Sequence, residues 1–369
     1  MAVRSWDASV AFFISGHGLG HASRQVEIIN TFGARHPEVG IFIRSAAARW
    51  LLERTIRVPY ELDDRPCDTG VIQIDSLHLD AAETMRRAAA FYDTFDARAD
   101  DEARLLRARD TRLVIVDAAP LGCEAAARAG VPSVVVSNFT WDWIYADYAE
   151  HLALALGVIP TIQGAYRNAL GAWRLPMHGG FDTFSTVTDV PFVARHATGP
   201  RDETRRRLGL SLDARIALPT FGGYGVHGLD VTRLDLGADW IVLADFDDAR
   251  IYEAGLRYED LVAAVDVVLT KPGYGIISEC IANNTAMVYT SRGRFAEYDV
   301  LVGEMPRYLR VAHLDNASLM AGRWRAAIDA AVNAPPPPVA PPTNGAAVVA
   351  DMMAACSRAG SSSLLPPPS

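Results

Sequence analysis

Val10-Ala11-Phe12-Phe13-Ile14-Ser15-Gly16-His17-Gly18-Leu19-Gly20-His21 is the stretch that decides the fold class. Five apolar residues read as a buried strand, the glycines after them as a tight turn, and Arg24 to Phe32 as a helix. Strand, glycine-rich turn and helix open a βαβ unit. Outward from it, a second strand is predicted at Val39–Ile43 and a helix near Ala46–Arg54. Ala-, Arg- and Leu-rich residues 80–109 read as long helices. Arg112–Val116 is a strand ending at Asp117, Glu124–Ala129 a helix, and Ser133–Val136 the next strand. Such alternation predicts a mostly parallel sheet.

Regular alternation fades between Pro160 and Pro200, where the interdomain region is placed. A second series follows. Arg215–Pro219 leads into Phe221-Gly222-Gly223-Tyr224-Gly225, Trp240–Ala244 is a strand, Tyr258–Ala264 a helix and Val265–Thr270 a strand. Lys271-Pro272-Gly273-Tyr274-Gly275 then opens the helix Ile276–Ala282, and Ala286–Tyr289 is another strand. The expected architecture is α/β, with Rossmann-like domains at 8–190 and 200–334 and a cleft between them. Residues 335–369 read as a proline-rich linker, a helix near Ala346–Cys356 and a disordered Ser- and Pro-rich tail.

Composition narrows the function classes. The chain has 369 residues, half of them hydrophobic, enough for two cores. A net charge of -9 without a dense basic run disfavours nucleic acid as a partner. Cys67, Cys123, Cys280 and Cys356 are far apart and show no zinc or redox spacing, so they read as reduced thiols. No apolar stretch approaches the ~20 residues of a membrane span, and the N-terminus lacks a basic flank before a long apolar region. A cytoplasmic protein without strong membrane association is expected. Of the 35 basic residues only Lys271 is lysine, a bias that suggests a GC-rich, bacterial genome.

Gly16 to His21 resembles a dinucleotide fingerprint only partly. His21 stands where the third glycine belongs, and the second strand ends in Arg44-Ser45 rather than an acid. His17 and His21 are four apart, but the glutamate of a zinc helix is missing, so no metal is expected. Lys271 to Gly275 with Ser278-Glu279 places a cation, a glycine turn and a carboxylate around one helix start. Backbone N–H groups there favour phosphate, and an acid one turn on can accept ribose hydroxyls. Asn138-Phe139-Thr140-Trp141-Asp142-Trp143 follows a strand, at the sheet end where open α/β folds bind ligands. Aromatics beside a carboxylate and an amide suit a sugar. Asp245-Phe246-Asp247-Asp248 contains an Asp-x-Asp, read as a solvated loop rather than a cation site.

On these motifs, together with Asp75-Ser76-Leu77, the chain resembles the glycosyltransferase-like N-terminal domain of L-arabinokinases up to about residue 330. More distantly it is similar to family 28 glycosyltransferases. The resemblance implies the GT-B fold and does not extend to the kinase half. It implies that His21 is a general base, that Ser278 and Glu279 hold the donor ribose, and that the segment containing Glu297 and Asp299 meets the donor sugar. That segment departs from the Asp-Gln type of pattern. Gly222, Gly223, Lys271, Pro272, Gly273, Tyr274 and Gly275 are assigned to the nucleotide. His17, Gly18, Gly20, Asn138, Thr140 and Trp141 are assigned to the acceptor side, with Asp142 beside His21 in the chemistry. The expected reaction is inverting, metal-independent and cofactor-free transfer of a hexosyl or N-acetylhexosaminyl group. It runs from a nucleoside diphosphate-sugar, with UDP as carrier, to a hydroxyl of a small molecule or glycan. A nucleotide-sugar epimerase or hydrolase, or a non-catalytic nucleotide-sugar-binding regulatory module, would use the same parts.

Overall fold

The computed structural model describes residues 8–359, except 224, 232, 233, 235 and 244–247. Tyr224, the Asp245-Phe246-Asp247 stretch and the tail from Gly360 therefore lie outside the described residues. The chain divides into two compact units. The first comprises residues 1–72, 80–193 and 344–369, and the second 73–79 and 194–343.

The first unit is built on seven parallel strands: β1 (Ser9–Ile14), β2 (Gly40–Arg44), β3 (Glu61–Asp63), β4 (Thr111–Asp117), β5 (Ser133–Phe139), β6 (Gly171–Gly179) and β7 (Val187–Asp189). Their order is β3-β2-β1-β4-β5-β6-β7. Every residue of β1, β2 and β5 is buried, as expected of strands covered on both faces. On one face Val10, Phe12, Ile14, Ile41, Ile43, Ile115 and Val136 pack with Ile28, Ile29 and Phe32 of the helix Gly20–Arg35. On the other, Gly122 of the helix Pro120–Ala129 lies so close that a Cβ there would stand 2.8 Å from Phe13 and Val116.

Two expectations change here. The stretch from Pro160 to Val193 is not a connector. It carries the helix Val158–Arg167 and strands β6 and β7, and belongs to the first unit. Its alternating burial, in place of a continuous apolar run, hid β6 from a search for buried parallel strands. The terminal helix, Gly345–Ala359, likewise returns to the first unit. Val349, Ala350 and Met353 are fully buried in the same core as β1. Gly345 makes the return possible, since a Cβ there would stand 2.2 Å from Pro191 O.

The second unit has five parallel strands: β8 (Arg215–Pro219), β9 (Trp240–Val242), β10 (Val267–Thr270), β11 (Ala286–Thr290) and β12 (Val311–Leu314). Their order is β12-β11-β10-β8-β9. In each sheet the order reverses once, between β1 and β4 in the first and between β8 and β10 in the second. Open α/β sheets bind ligands beyond the carboxyl ends of the strands at such a switch point. Among the described residues no helix is long and apolar enough to cross a membrane.

Met353 tests the placement of the terminal helix. Met353→Ala should lower unfolding free energy in urea by about 2–5 kcal/mol, the usual cost of truncating a buried side chain. An unchanged midpoint would mean that this helix does not share the first unit's core.

Candidate functional site

At the first switch point β1 runs into the glycine turn and β4 ends on Asp117. Gly18 turns the chain with φ +64, and Gly20 begins the helix that carries His21, Arg24 and Gln25 on its buried face. All three reach Asp117, which is fully buried. His21 Nδ1 lies 2.8 Å from Asp117 Oδ1, Arg24 Nε donates to Oδ2 at 2.7 Å, and Gln25 Nε2 donates to Oδ2 at 3.0 Å. Burial alone would raise the Asp117 carboxyl, but the Arg24 and His21 charges and hydrogen bonds outweigh it and hold the group well below the usual carboxylate range. Ala118, directly after it, adopts φ +58, a strained conformation that commonly marks functional sites.

Two contacts meet at His21 Nδ1. Arg24 Nη2 also stands 2.9 Å from His21 Nδ1, and a guanidinium can only donate. An ionised Asp117 can only accept, so pairing with it asks Nδ1 to donate, whereas the Arg24 contact asks the same atom to accept. The pairing with Asp117 is the one by which a carboxylate holds an imidazole base.

The remaining first-unit candidates have structural duties. Asn138 accepts from Arg24 Nη1 through Oδ1 and donates through Nδ2 to Pro176 O at 2.6 Å, so both ends of its amide are engaged. Trp141 is buried, donates to Asp68 Oδ2 at 2.8 Å and stacks on Tyr145. Burial pushes the Asp68 carboxyl up, against the hydrogen bonds from Ser15 and Trp141. His17 Nδ1 accepts the Val71 N–H at 3.3 Å, and its ring fills the space that a Cβ at Gly70 would need. Thr140 is the N-cap residue of the helix Trp141–Ala146, and its Oγ1 is buried against Gly180. Asp142 was assigned to catalysis together with His21. Its Oδ2 instead accepts from Thr183 Oγ1 at 3.0 Å and Gln163 Nε2 at 3.4 Å, and the carboxylate that meets His21 is Asp117.

At the second switch point two glycine turns flank the reversal. Gly222, at φ +72, and Gly223 follow β8, and Lys271-Pro272-Gly273 follows β10. Gly273 is the N-cap residue of the helix Tyr274–Ala282, which also contains Gly275. Lys271 is half-buried, and burial first, then the neighbouring Arg292, lowers its amine to about 7 against a smaller opposing effect of Glu297. Arg292 is buried over the Phe295 ring and donates to Glu297 Oε1 at 2.7 Å. Its Nε has no partner among the described residues. Glu297 is thus tied to Arg292, whereas Asp299 is exposed in the first turn of the helix Tyr298–Glu304.

Ser278 Oγ donates to Gly275 O at 2.8 Å. Glu279 is buried and paired with Arg195, whose Nε donates to Oε1 at 2.8 Å, while Glu259 Oε2 stands 3.4 Å from Arg195 Nη1. Glu279 is the residue expected to hold the donor ribose. It is one member of a buried triad, and any ribose contact would add to that pairing.

Arg24, Asp117, Arg195, Glu259 and Arg292 were not singled out from sequence. Arg24 had a signal, since it stands three residues after His21 on one helix face. So did Asp117, an acid closing an apolar strand. The others meet through tertiary contacts alone.

No protein-family model matches the chain. It is 28% identical over 338 residues to the L-arabinokinase of Arabidopsis thaliana, covering 88% of this chain and 32% of that protein. To an uncharacterized glycosyltransferase of Methanopyrus kandleri it is 24% identical over 220 residues, covering 53% of this chain and 60% of that one. The chain thus spans between about a third and three-fifths of these curated relatives. Among solved structures it is similar to the glycotransferase of kitacinnamycin, with TM-score 0.59, 14% identity and coverage of 94% and 98% of the two chains. It is also similar to the glycosyltransferase VinC in complex with dTDP, with TM-score 0.56, 13% identity and 95% of both chains covered. Arabidopsis thaliana UGT89C1 complexed with UDP gives TM-score 0.52, 12% identity and 96% of both chains. The fold is GT-B, and the resemblance to the glycosyltransferase-like part of L-arabinokinase holds.

Two measurements follow from the second unit. Glu279→Ala leaves Arg195 paired with Glu259 alone and should cost about 1.5–3 kcal/mol in urea unfolding, the range for hydrogen bonds to charged groups. A cost near zero would place Glu279 in solvent. The Lys271 amine sits lower in the folded chain than its ordinary 10.5, at about 7. Between those values the unfolded chain holds a proton that the folded chain lacks, so stability should rise with pH from about 7 to about 10.5. Lys271→Met should flatten that rise, and an identical slope in the variant would contradict the assignment.

Proposed function

We propose that the protein is a glycosyltransferase that moves a sugar, hexosyl or N-acetylhexosaminyl, from a nucleoside diphosphate-sugar to an acceptor hydroxyl with inversion. The observation that carries the proposal is the His21–Asp117 pair at the first sheet's switch point, with Nδ1 at 2.8 Å from the carboxylate. In this reading Nε2 takes the acceptor's proton as the hydroxyl attacks the anomeric carbon. Asp117 fixes the ring and steadies the imidazolium. The diphosphate leaves as an anion. Lys271 and the N–H groups at the Gly273 and Gly222-Gly223 turns are the groups available to stabilise it. With that charge carried by the chain's own donors, the transfer needs neither a metal nor another cofactor.

Solved neighbours complexed with dTDP and with UDP support a pyrimidine nucleotide as the donor's carrier. The acceptor is a small molecule or a glycan, and the net charge of -9 argues against a nucleic-acid partner.

One observation favours a second reading, nucleotide-sugar binding without turnover. Arg24 claims both oxygens of Asp117 and sets Nη2 at 2.9 Å from His21 Nδ1, so the carboxylate is already neutralised and a second positive charge is disfavoured beside it.

A thermal-shift titration tests the donor site. UDP or dTDP at a hundredfold over its dissociation constant should stabilise the protein by about 2.7 kcal/mol. No shift with either removes the donor assignment. If turnover occurs, His21→Ala should lower it by roughly 10²–10⁴-fold at unchanged nucleotide affinity. Full turnover in that variant would identify a different base, and nucleotide binding without turnover across a broad acceptor panel would favour the second reading.

A further inference from the structure

Asp75-Ser76-Leu77 is the one sequence motif to which no role has yet been given. It lies in the short excursion Gln73–Leu79, which belongs to the second unit although the residues on either side belong to the first. The excursion is closed at its base. Asp80 N donates to Ile72 O at 2.8 Å, and Gln73 and Leu79 form an antiparallel bridge.

Within it, one carboxylate does two jobs. Asp75 Oδ1 accepts from the backbone N–H groups of Leu77 at 2.8 Å and His78 at 2.9 Å, which folds the strap into a turn. Asp75 Oδ2 accepts the backbone N–H of His227 at 3.3 Å. Ser76 adds two contacts: its N–H donates to Gly225 O at 2.9 Å and its Oγ donates to Phe221 O. Leu77 is buried in the second unit's core with Phe221. Gly293, at φ +63, leaves room for the strap, since a Cβ there would stand 2.7 Å from Leu77 O.

We propose that Asp75 and Ser76 are positioning residues for the glycine turn after β8, tying Phe221, Gly225 and His227 so that the Gly222 and Gly223 backbone is preset for a nucleoside diphosphate. The inference rests on the donor reading above. Two of the three tied residues bracket Gly222 and Gly223, and the ties go to backbone atoms, so they fix where the chain runs whatever side chains the turn carries. A glycine turn is costly to order because glycine has the widest conformational freedom to lose. A strap that has already ordered it removes that cost from binding.

Asp75→Asn and Ser76→Ala in the full chain test the proposal. Asparagine keeps an oxygen for the strap's own turn but presents an amide donor where His227 N–H needs an acceptor. In both variants, hydrogen exchange in the free protein should speed up at the amides of residues 222–227 while those of β10 and β11 keep their protection. Calorimetric titration with UDP and dTDP should give affinity lower by about tenfold, the equivalent of about 1.4 kcal/mol, at a melting midpoint close to wild type. Ser76→Thr, which keeps the hydroxyl, should recover most of the affinity. Should Asp75→Asn not fold, Ser76→Ala carries the test. Faster exchange with unchanged affinity would overturn the positioning role, and unchanged exchange would overturn the tie itself. Failure of the wild-type protein to bind either nucleotide would overturn the donor reading and this role together.

Discussion

A parallel sheet whose strand order reverses sends its connections to opposite faces on the two sides of the reversal, leaving an opening beyond the strand ends. Both sheets here have one such reversal, at β1/β4 and at β8/β10. The groups with chemical capacity gather there. His21 and Asp117 follow β1 and close β4. The Gly222-Gly223 turn and Lys271 follow β8 and β10. Sequence places these residues nearly a hundred apart in the first unit and about fifty apart in the second, and the topology alone brings each set to one end of its sheet.

The first site is organised by one buried charge. Asp117 would be costly in an apolar interior, and four side chains offset that cost: His21, Arg24, Gln25 and Ser137. The arrangement fixes the position of the His21 ring, and Arg24 also reaches Asn138, which is bound to β6 through Pro176 O. Rigidity of this kind suits a positioned base. Neutralisation by Arg24 works the other way, because less of the Asp117 charge is left to favour an imidazolium. Which of the two dominates decides between transfer and binding.

Most of the fold was legible in the sequence. Apolar strand runs and glycine turns at 10–21, 112–117, 133–136, 215–225 and 265–275 fall where strands and turns are found, because both faces of these strands are covered and their pattern is continuous. The strands β3, β6, β7 and β12 were missed. In β6 apolar and half-buried residues alternate, and β7 has three residues, none of them buried. The return of Gly345–Ala359 to the first core depends on contacts with the helix Gly20–Arg35, which lies more than 300 positions away and leaves no local trace. At the sites, backbone features such as the glycine turns were readable. Side-chain partnerships were not: Asp142 was named with His21 for the chemistry from its motif alone, and the carboxylate that meets His21 is Asp117. The partners of Glu279 left no local trace, because Arg195 and Glu259 approach it from elsewhere in the second unit.

The central claim is that the turns at the β8/β10 reversal bind a nucleoside diphosphate. A crystal structure of the protein soaked with UDP tests it most directly. The account predicts the diphosphate at the amino end of the helix Tyr274–Ala282, within hydrogen-bonding reach of Lys271 Nζ and of backbone N–H groups at Gly222-Gly223 or Gly273. A diphosphate bound away from both glycine turns, with the β8/β10 reversal left empty, would contradict it.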